Sequence, residues 1–121
     1  MVNKNYKKNI LIFGAGSIGN HMAFASRKLK LNVDITDTSE SALNRMKSQI
    51  FIKRYGAWDP NINLIPLNNV FKIKKLYDLI IVGTPPNTHF QIYKKVSKKL
   101  IFKNILIEKP LTNYLSKNYK N

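Results

Sequence analysis

Three glycines, Gly14, Gly16 and Gly19, close a short apolar run, and their spacing constrains the fold of this chain more than any other feature. Asn9-Ile10-Leu11-Ile12-Phe13 has the length and apolar character of a buried parallel strand. Residues from about Ser17 to Leu29 then read as a helix, with Ile18, Met22, Ala25 and Leu29 along one face. A second strand, Asn32-Val33-Asp34-Ile35-Thr36, ends at Asp37. The pattern is a βαβ unit with an acid roughly 20 residues beyond the last glycine.

Such a unit suits a dinucleotide. Gly14 permits the tight turn out of the strand. Gly16 leaves room for the backbone to approach a pyrophosphate, and Gly19 lets the helix pack closely on the strand. The N–H groups at the helix start, around Ser17 and Ile18, and the positive end of the helix dipole hold the phosphates. Asp37 accepts hydrogen bonds from the adenosine ribose, and its charge favours NAD over NADP by repelling a 2′-phosphate. Thr38 and Ser39 are able to hydrogen-bond such a phosphate. Arg45, about two helical turns further on, reads as a solvated face residue.

The rest of the chain continues the alternation of strand and helix. A helix capped by Thr38 or Ser39 runs through Ala42, Leu43, Met46 and Ile50 and ends before Gly56. Trp58-Asp59-Pro60-Asn61 is turn chemistry, with Trp58 a packing anchor. Asn63-Leu64-Ile65 is a short strand stopped by Pro66, and Asn69 to Leu76 reads as a short helix. Asp78-Leu79-Ile80-Ile81-Val82 is a strand apolar on both faces, ended by Gly83-Thr84-Pro85-Pro86. A helix over Thr88 to Leu100 buries Phe90, Tyr93 and Val96. Asn104-Ile105-Leu106-Ile107 is the last strand, closed by Glu108-Lys109-Pro110. This succession predicts an α/β fold with a doubly wound parallel sheet, and it puts all three loop motifs at the carboxyl ends of strands, where ligands bind.

Charge and composition narrow the alternatives. Twenty-one basic residues against six acidic give a net charge of +15, which suggests a polyanion partner. Eighteen of the basic residues are Lys and three are Arg, beside 15 Asn and 15 Ile, which is the signature of an AT-rich coding sequence. Readers of nucleic acid lean on Arg, and the lysines here are spread along the chain, so no specific nucleic-acid partner is expected. The absence of cysteine excludes disulfides, zinc–thiolate sites and thiol catalysis. The lysines and apolar stretch at the N-terminus outline a signal peptide, but three glycines and His21 interrupt it. No apolar run is long enough to span a bilayer. The expectation is a soluble cytoplasmic chain with no metal site.

Taken in order, the glycine loop, Thr84-Pro85-Pro86-Asn87-Thr88-His89 and Glu108-Lys109-Pro110 resemble the glucose–fructose oxidoreductase / inositol dehydrogenase / rhizopine catabolism family, written Gfo/Idh/MocA. The resemblance covers roughly residues 9–113 and implies a Rossmann domain. Residues 1–8 are then a basic extension, and 114–121 the start of a further element or a tail. It implies that Thr84, Pro85, Asn87, His89 and Glu108 line the cofactor, with His89 equally able to cap or pack its helix. Lys109 then lies near the nicotinamide and assists proton transfer. Family members carry a second, open-sheet domain that supplies most of the substrate pocket. The expectation is therefore an NAD(P)-binding domain of an oxidoreductase acting on a sugar, polyol or sugar derivative, inactive alone, and either a truncated product or fragment or one half of a split enzyme whose separate partner chain carries that second domain. The reading from another class is a non-catalytic NAD(P)-binding module or sensor.

Overall fold

Strand polarity sets the architecture. A computed structural model describes residues 7–108, and in it every strand pairing is parallel. The strands are β1 (Asn9–Phe13), β2 (Asn32–Asp37), β3 (Ile62–Pro66), β4 (Leu76–Val82) and β5 (Ile101–Ile107). They form one sheet in the order β3-β2-β1-β4-β5. The helices are α1 (Ser17–Lys28), α2 (Glu40–Arg45), α3 (Phe51–Tyr55), α4 (Leu67–Val70) and α5 (His89–Lys99). A π turn over Met46–Ile50 joins α2 to α3. The chain winds one way from β1 to β3, then crosses back to β4 and β5. That reversal beside β1 is the topological switch point, where such sheets open a ligand crevice.

Parallel strands must bury both faces, and their side chains divide accordingly. Ile10, Ile12, Val33, Ile35 and Ile81 pack with Ala23, Leu43, Met46 and Phe51 from α1, α2, the π turn and α3. Leu11, Phe13, Ile80 and Val82 pack with Val70 and Val96 of α4 and α5 and with Leu100. Burying a large aliphatic side chain of this kind contributes about 1.5–3 kcal/mol. Ser39 caps α2, its hydroxyl accepting from the Ala42 N–H at 3.2 Å, and Gly56 ends α3 at a φ of 95°. Trp58 packs edge-on against Phe51 at 5.2 Å, as a packing anchor should.

Polar groups support the sheet away from its ligand edge. Asp34, buried in β2, accepts from the Tyr77 hydroxyl at 2.7 Å and the Asn63 amide at 3.0 Å, and pairs with Lys75. Burial and this carboxylate push the Tyr77 hydroxyl far above the ordinary tyrosine range. Burial alone would raise Asp59, but the Arg27 guanidinium and Asn61 hold its carboxyl below the usual value. At the sheet edge, β5 leaves Ile101 and Leu106 about half exposed, with Lys103 between them 3.5 Å from Asp78. Among the described residues no helix is long and apolar enough to cross a membrane.

Three sequence expectations are corrected. The buried face of α1 is Gly19, Asn20, Ala23 and Ser26, whereas Ile18 is 42% and Leu29 72% exposed. The helix lies so close to the sheet that only small residues fit between them. The short helix expected over Asn69–Leu76 is a single turn that starts two residues earlier, Leu67–Val70, and Leu76 already belongs to β4. Helix α5 buries His89 and Val96, with Ile92 packed on the core, while Tyr93 is 39% exposed.

The closeness of α1 gives a direct test. A Cβ added at Gly19 would lie 1.8 Å from the Gly14 carbonyl oxygen, a backbone atom, so the helix must move. Gly19→Ala is expected to lower stability in urea by about 3 kcal/mol or more. At Gly16, where an added Cβ meets nothing within 4 Å, alanine is expected to change stability by less than about 0.5 kcal/mol.

Candidate cofactor site

The hydrogen-bond ladder of the sheet continues beyond the strands and fixes the loops above them. Gly14 N–H donates to the Thr36 carbonyl at 2.7 Å, Gly83 N–H to Phe13 at 2.8 Å, and Glu108 N–H to Val82 at 3.1 Å. All three loop motifs therefore start from one edge. Gly14 has a φ of 113°, and a Cβ there would meet the Gly83 carbonyl group at 3.1 Å. It serves both the turn and the near contact of two loops. Ile18 rests beside Gly83 on the other side. The Asn20 amide donates to the carbonyls of Ala15 and Gly16, at 3.0 and 2.7 Å, and so pins the glycine loop from beneath. Sequence reasoning missed Asn20, since a polar residue in a helix carries no signal of facing inward.

Asp37 joins this loop to β2. Its Oδ2 accepts from the Ala15 N–H at 2.8 Å and its Oδ1 from the Ser39 N–H at 2.9 Å. A carboxylate has about four acceptor positions. Two backbone bonds fix its orientation; Oδ1 also accepts from the Thr38 hydroxyl at 3.4 Å, and Oδ2 keeps a lone pair for a ribose hydroxyl.

Beyond β4, hydroxyl groups stiffen the turn. Thr88 Oγ1 donates to the Pro85 carbonyl at 2.6 Å, so Thr84 Oγ1 donates to Thr88 Oγ1, also at 2.6 Å. His89 is 1% exposed, with Nε2 2.6 Å from the Thr84 carbonyl. A carbonyl only accepts, so that nitrogen carries the proton. His89 braces the turn from beneath, consistent with its packing role, and is not among the residues that line the cleft.

Between these loops lies a cleft of about 300 Å³. Gly14, Ala15, Gly16, Asp37, Thr84 and Pro85 line it, as do Thr38, Ala42, Arg45, Ile50, Thr88 and Ile92. Ile50 and Ile92 give it apolar walls of the kind an adenine needs. Arg45 is a correction: it faces this cleft and is not merely a solvated side chain. Ser17, Ile18 and Gly19 adjoin the cleft as the first turn of α1, with Gly19 turned inward against Gly14. Asn87 is exposed on a 3₁₀ turn, Pro86–Thr88, and Glu108 stands at the end of β5; neither lines the cleft. Lys109 and Pro110 lie outside the described residues.

The residues present fit a dinucleotide. Open space over Gly16, helix N–H groups beside it, an oriented acid at the β2 end and apolar walls form one continuous surface. The class defined is a protein that binds a dinucleotide across the carboxyl edge of a parallel sheet. Over residues 8–118 the sequence matches the Gfo/Idh/MocA oxidoreductase family, NAD-binding Rossmann fold, and the chain belongs to that family. Its ligand is accordingly a nicotinamide dinucleotide.

No curated protein matches the sequence. Solved structures do match the fold. (S)-3-Hydroxybutyryl-CoA dehydrogenase from Ralstonia eutropha has a TM-score of 0.60 at 20% identity, over 82% of this chain and 41% of that one. UDP-N-acetylglucosamine 3-dehydrogenase from Acidithiobacillus ferrooxidans has 0.58 at 18%, over 88% and 31%. An S-adenosylhomocysteine-bound methyltransferase from Podospora anserina has 0.56 at 22%, over 76% and 40%. The chain thus spans well under half the length of each. A methyltransferase beside two dehydrogenases shows that this likeness defines the fold and not the reaction.

Gly16 separates folding from binding. Its φ of −86° is open to any residue, and a side chain there meets only the cleft. Gly16→Val is expected to keep the melting temperature and to abolish NADH binding, followed by the fluorescence of the nicotinamide. Binding equal to that of the parent would remove the glycine loop from the site.

Proposed function

We propose that this chain is the NAD-binding domain, residues 9–113, of an oxidoreductase that transfers a hydride between nicotinamide C4 and a carbinol carbon of a sugar, polyol or sugar derivative. The observation that carries the cofactor reading is Asp37, held by two backbone N–H groups with acceptor capacity left on Oδ2. Its negative charge favours NAD over NADP. Arg45 in the same cleft works in the opposite direction, and Asp37 prevails because it stands where the ribose hydroxyls bind.

The sugar or polyol substrate rests on the resemblance of the second and third loop motifs to the family. That resemblance assigns Lys109 to the substrate and to proton transfer. A hydride transfer needs a dry pocket as well as an acid or base. The rest of that pocket comes from a second domain, supplied from beyond residues 9–113 or by another chain.

Two variants of Asp37 test the cofactor. Asp37→Ala is expected to weaken NADH binding about 10- to 100-fold, as loss of charge-assisted hydrogen bonds would. Asp37→Asn keeps an acceptor without the charge and is expected to retain NADH and to admit NADPH. A parent protein that binds NADPH as tightly as NADH would overturn the NAD preference.

The substrate class is tested by assaying sugars, inositols and sugar nucleotides with a family substrate domain supplied in trans. Turnover is expected with that domain present, and loss of it in Lys109→Ala. Turnover by the 121-residue chain alone would show the second domain to be dispensable.

A further inference from the structure

The helix from Glu40 to Tyr55 does not keep α register. Its buried residues are Leu43, Met46 and Phe51, a step of three and then of five. In an unbroken α-helix the residues after Met46 on the core side would be Ile50 and then Arg54, each four positions on. The π turn adds one residue to a turn and rotates the rest of the helix by about 100°. Phe51 takes the core position as a result. Ile50 swings out to line the cleft, and Arg54, one turn on, reaches the first residue of α1. Its Nη1 donates to the Ser17 carbonyl at 2.9 Å and its Nη2 to the Ser17 Oγ at 2.8 Å, across 37 residues of sequence.

That is an unfavourable place for a cation. The start of α1 already carries the positive end of the helix dipole, and a guanidinium beside it is repelled. Among the described residues no acid offsets the charge, and Arg54 makes no ion pair. Asp34 pairs with Lys75, Asp59 with Arg27 and Asp78 with Lys103. The Asp37 carboxylate is turned to Ala15 and Ser39. Ser17 engages two of the five guanidinium N–H groups, and those that remain suit phosphate oxygens.

We propose that Arg54 binds the diphosphate bridge of the dinucleotide, as a charged ligand that the glycine fingerprint itself does not contain. The inference rests on the cleft being the dinucleotide site and adds a residue to it. The chemistry recognised is a nucleoside diphosphate; a nucleoside without phosphates gains nothing from Arg54. Lysine would serve less well, because a point charge does not reproduce the fork that grips Ser17 and phosphate together.

The test uses the full chain with NADH, ADP-ribose and adenosine as probes, beside Arg54→Met and Arg54→Lys. Arg54→Met is expected to weaken NADH and ADP-ribose binding about tenfold or more, with adenosine affinity and melting temperature unchanged. Arg54→Lys should restore part of the loss, and the salt dependence of NADH binding should be shallower in Arg54→Met than in the parent. NADH and ADP-ribose affinities within twofold of the parent in Arg54→Met would overturn the role of Arg54 alone. Equal losses for adenosine and ADP-ribose would mean a structural role and would overturn it too. A folded parent that binds neither NADH nor ADP-ribose would overturn the dinucleotide reading, and this inference with it.

Discussion

The ligand edge of this fold depends on how tightly α1 is drawn onto the loop that precedes it. The contact is backbone against backbone, with the Gly19 Cα set against the Gly14 carbonyl. Because nothing separates them, the helix starts directly above the end of β1 and presents its first N–H groups to the switch point. The same closeness selects Ala23 and Ser26 further along, where larger side chains would lift the helix away. It also turns Ile18 outward over Gly83, where it joins the surface of the second loop.

Around that contact the site is made mostly of main chain. Ladder bonds from Gly14, Gly83 and Glu108 extend the sheet into its loops. Asn20, Asp37, Thr84, Thr88 and His89 each hold a loop carbonyl, a loop N–H or one another. The side chains lock the loops and the backbone meets the ligand, a division that keeps a site rigid without many contacts of its own.

Much of this was legible in the sequence, and what was not has a physical cause. The runs 9–13 and 78–82 announced strands because a parallel sheet buries both faces and so demands near-continuous apolar stretches. Glycine spacing and Asp37 placed the cleft because backbone conformation and a lone acid at a strand end leave few other uses. The buried side of α1 was not legible, since hydrophobicity picks out Ile18 and Leu29 where the packing selects for small volume. Residues 67–76 misled because four residues make too short a helix to show a period. Arg54 was hidden by the π turn, which breaks the α spacing on which any reading of faces relies. At α spacing Arg54 would fall among buried positions, where an arginine has no sensible role.

The edge strand β5 bears on how the protein behaves in concentrated solution. Two half-exposed aliphatic side chains, Ile101 and Leu106, sit on a strand whose outer hydrogen-bonding groups face away from the sheet. Such an edge is a template for a strand of another molecule, and a lysine on it is a common deterrent. Lys103 occupies that position, between the two. Its charge is only loosely engaged by Asp78, at 3.5 Å and largely exposed, so most of it remains to repel an identical edge. Pairing of the β5 edge with an identical edge is thus expected to rise with ionic strength, which screens the Lys103 charge.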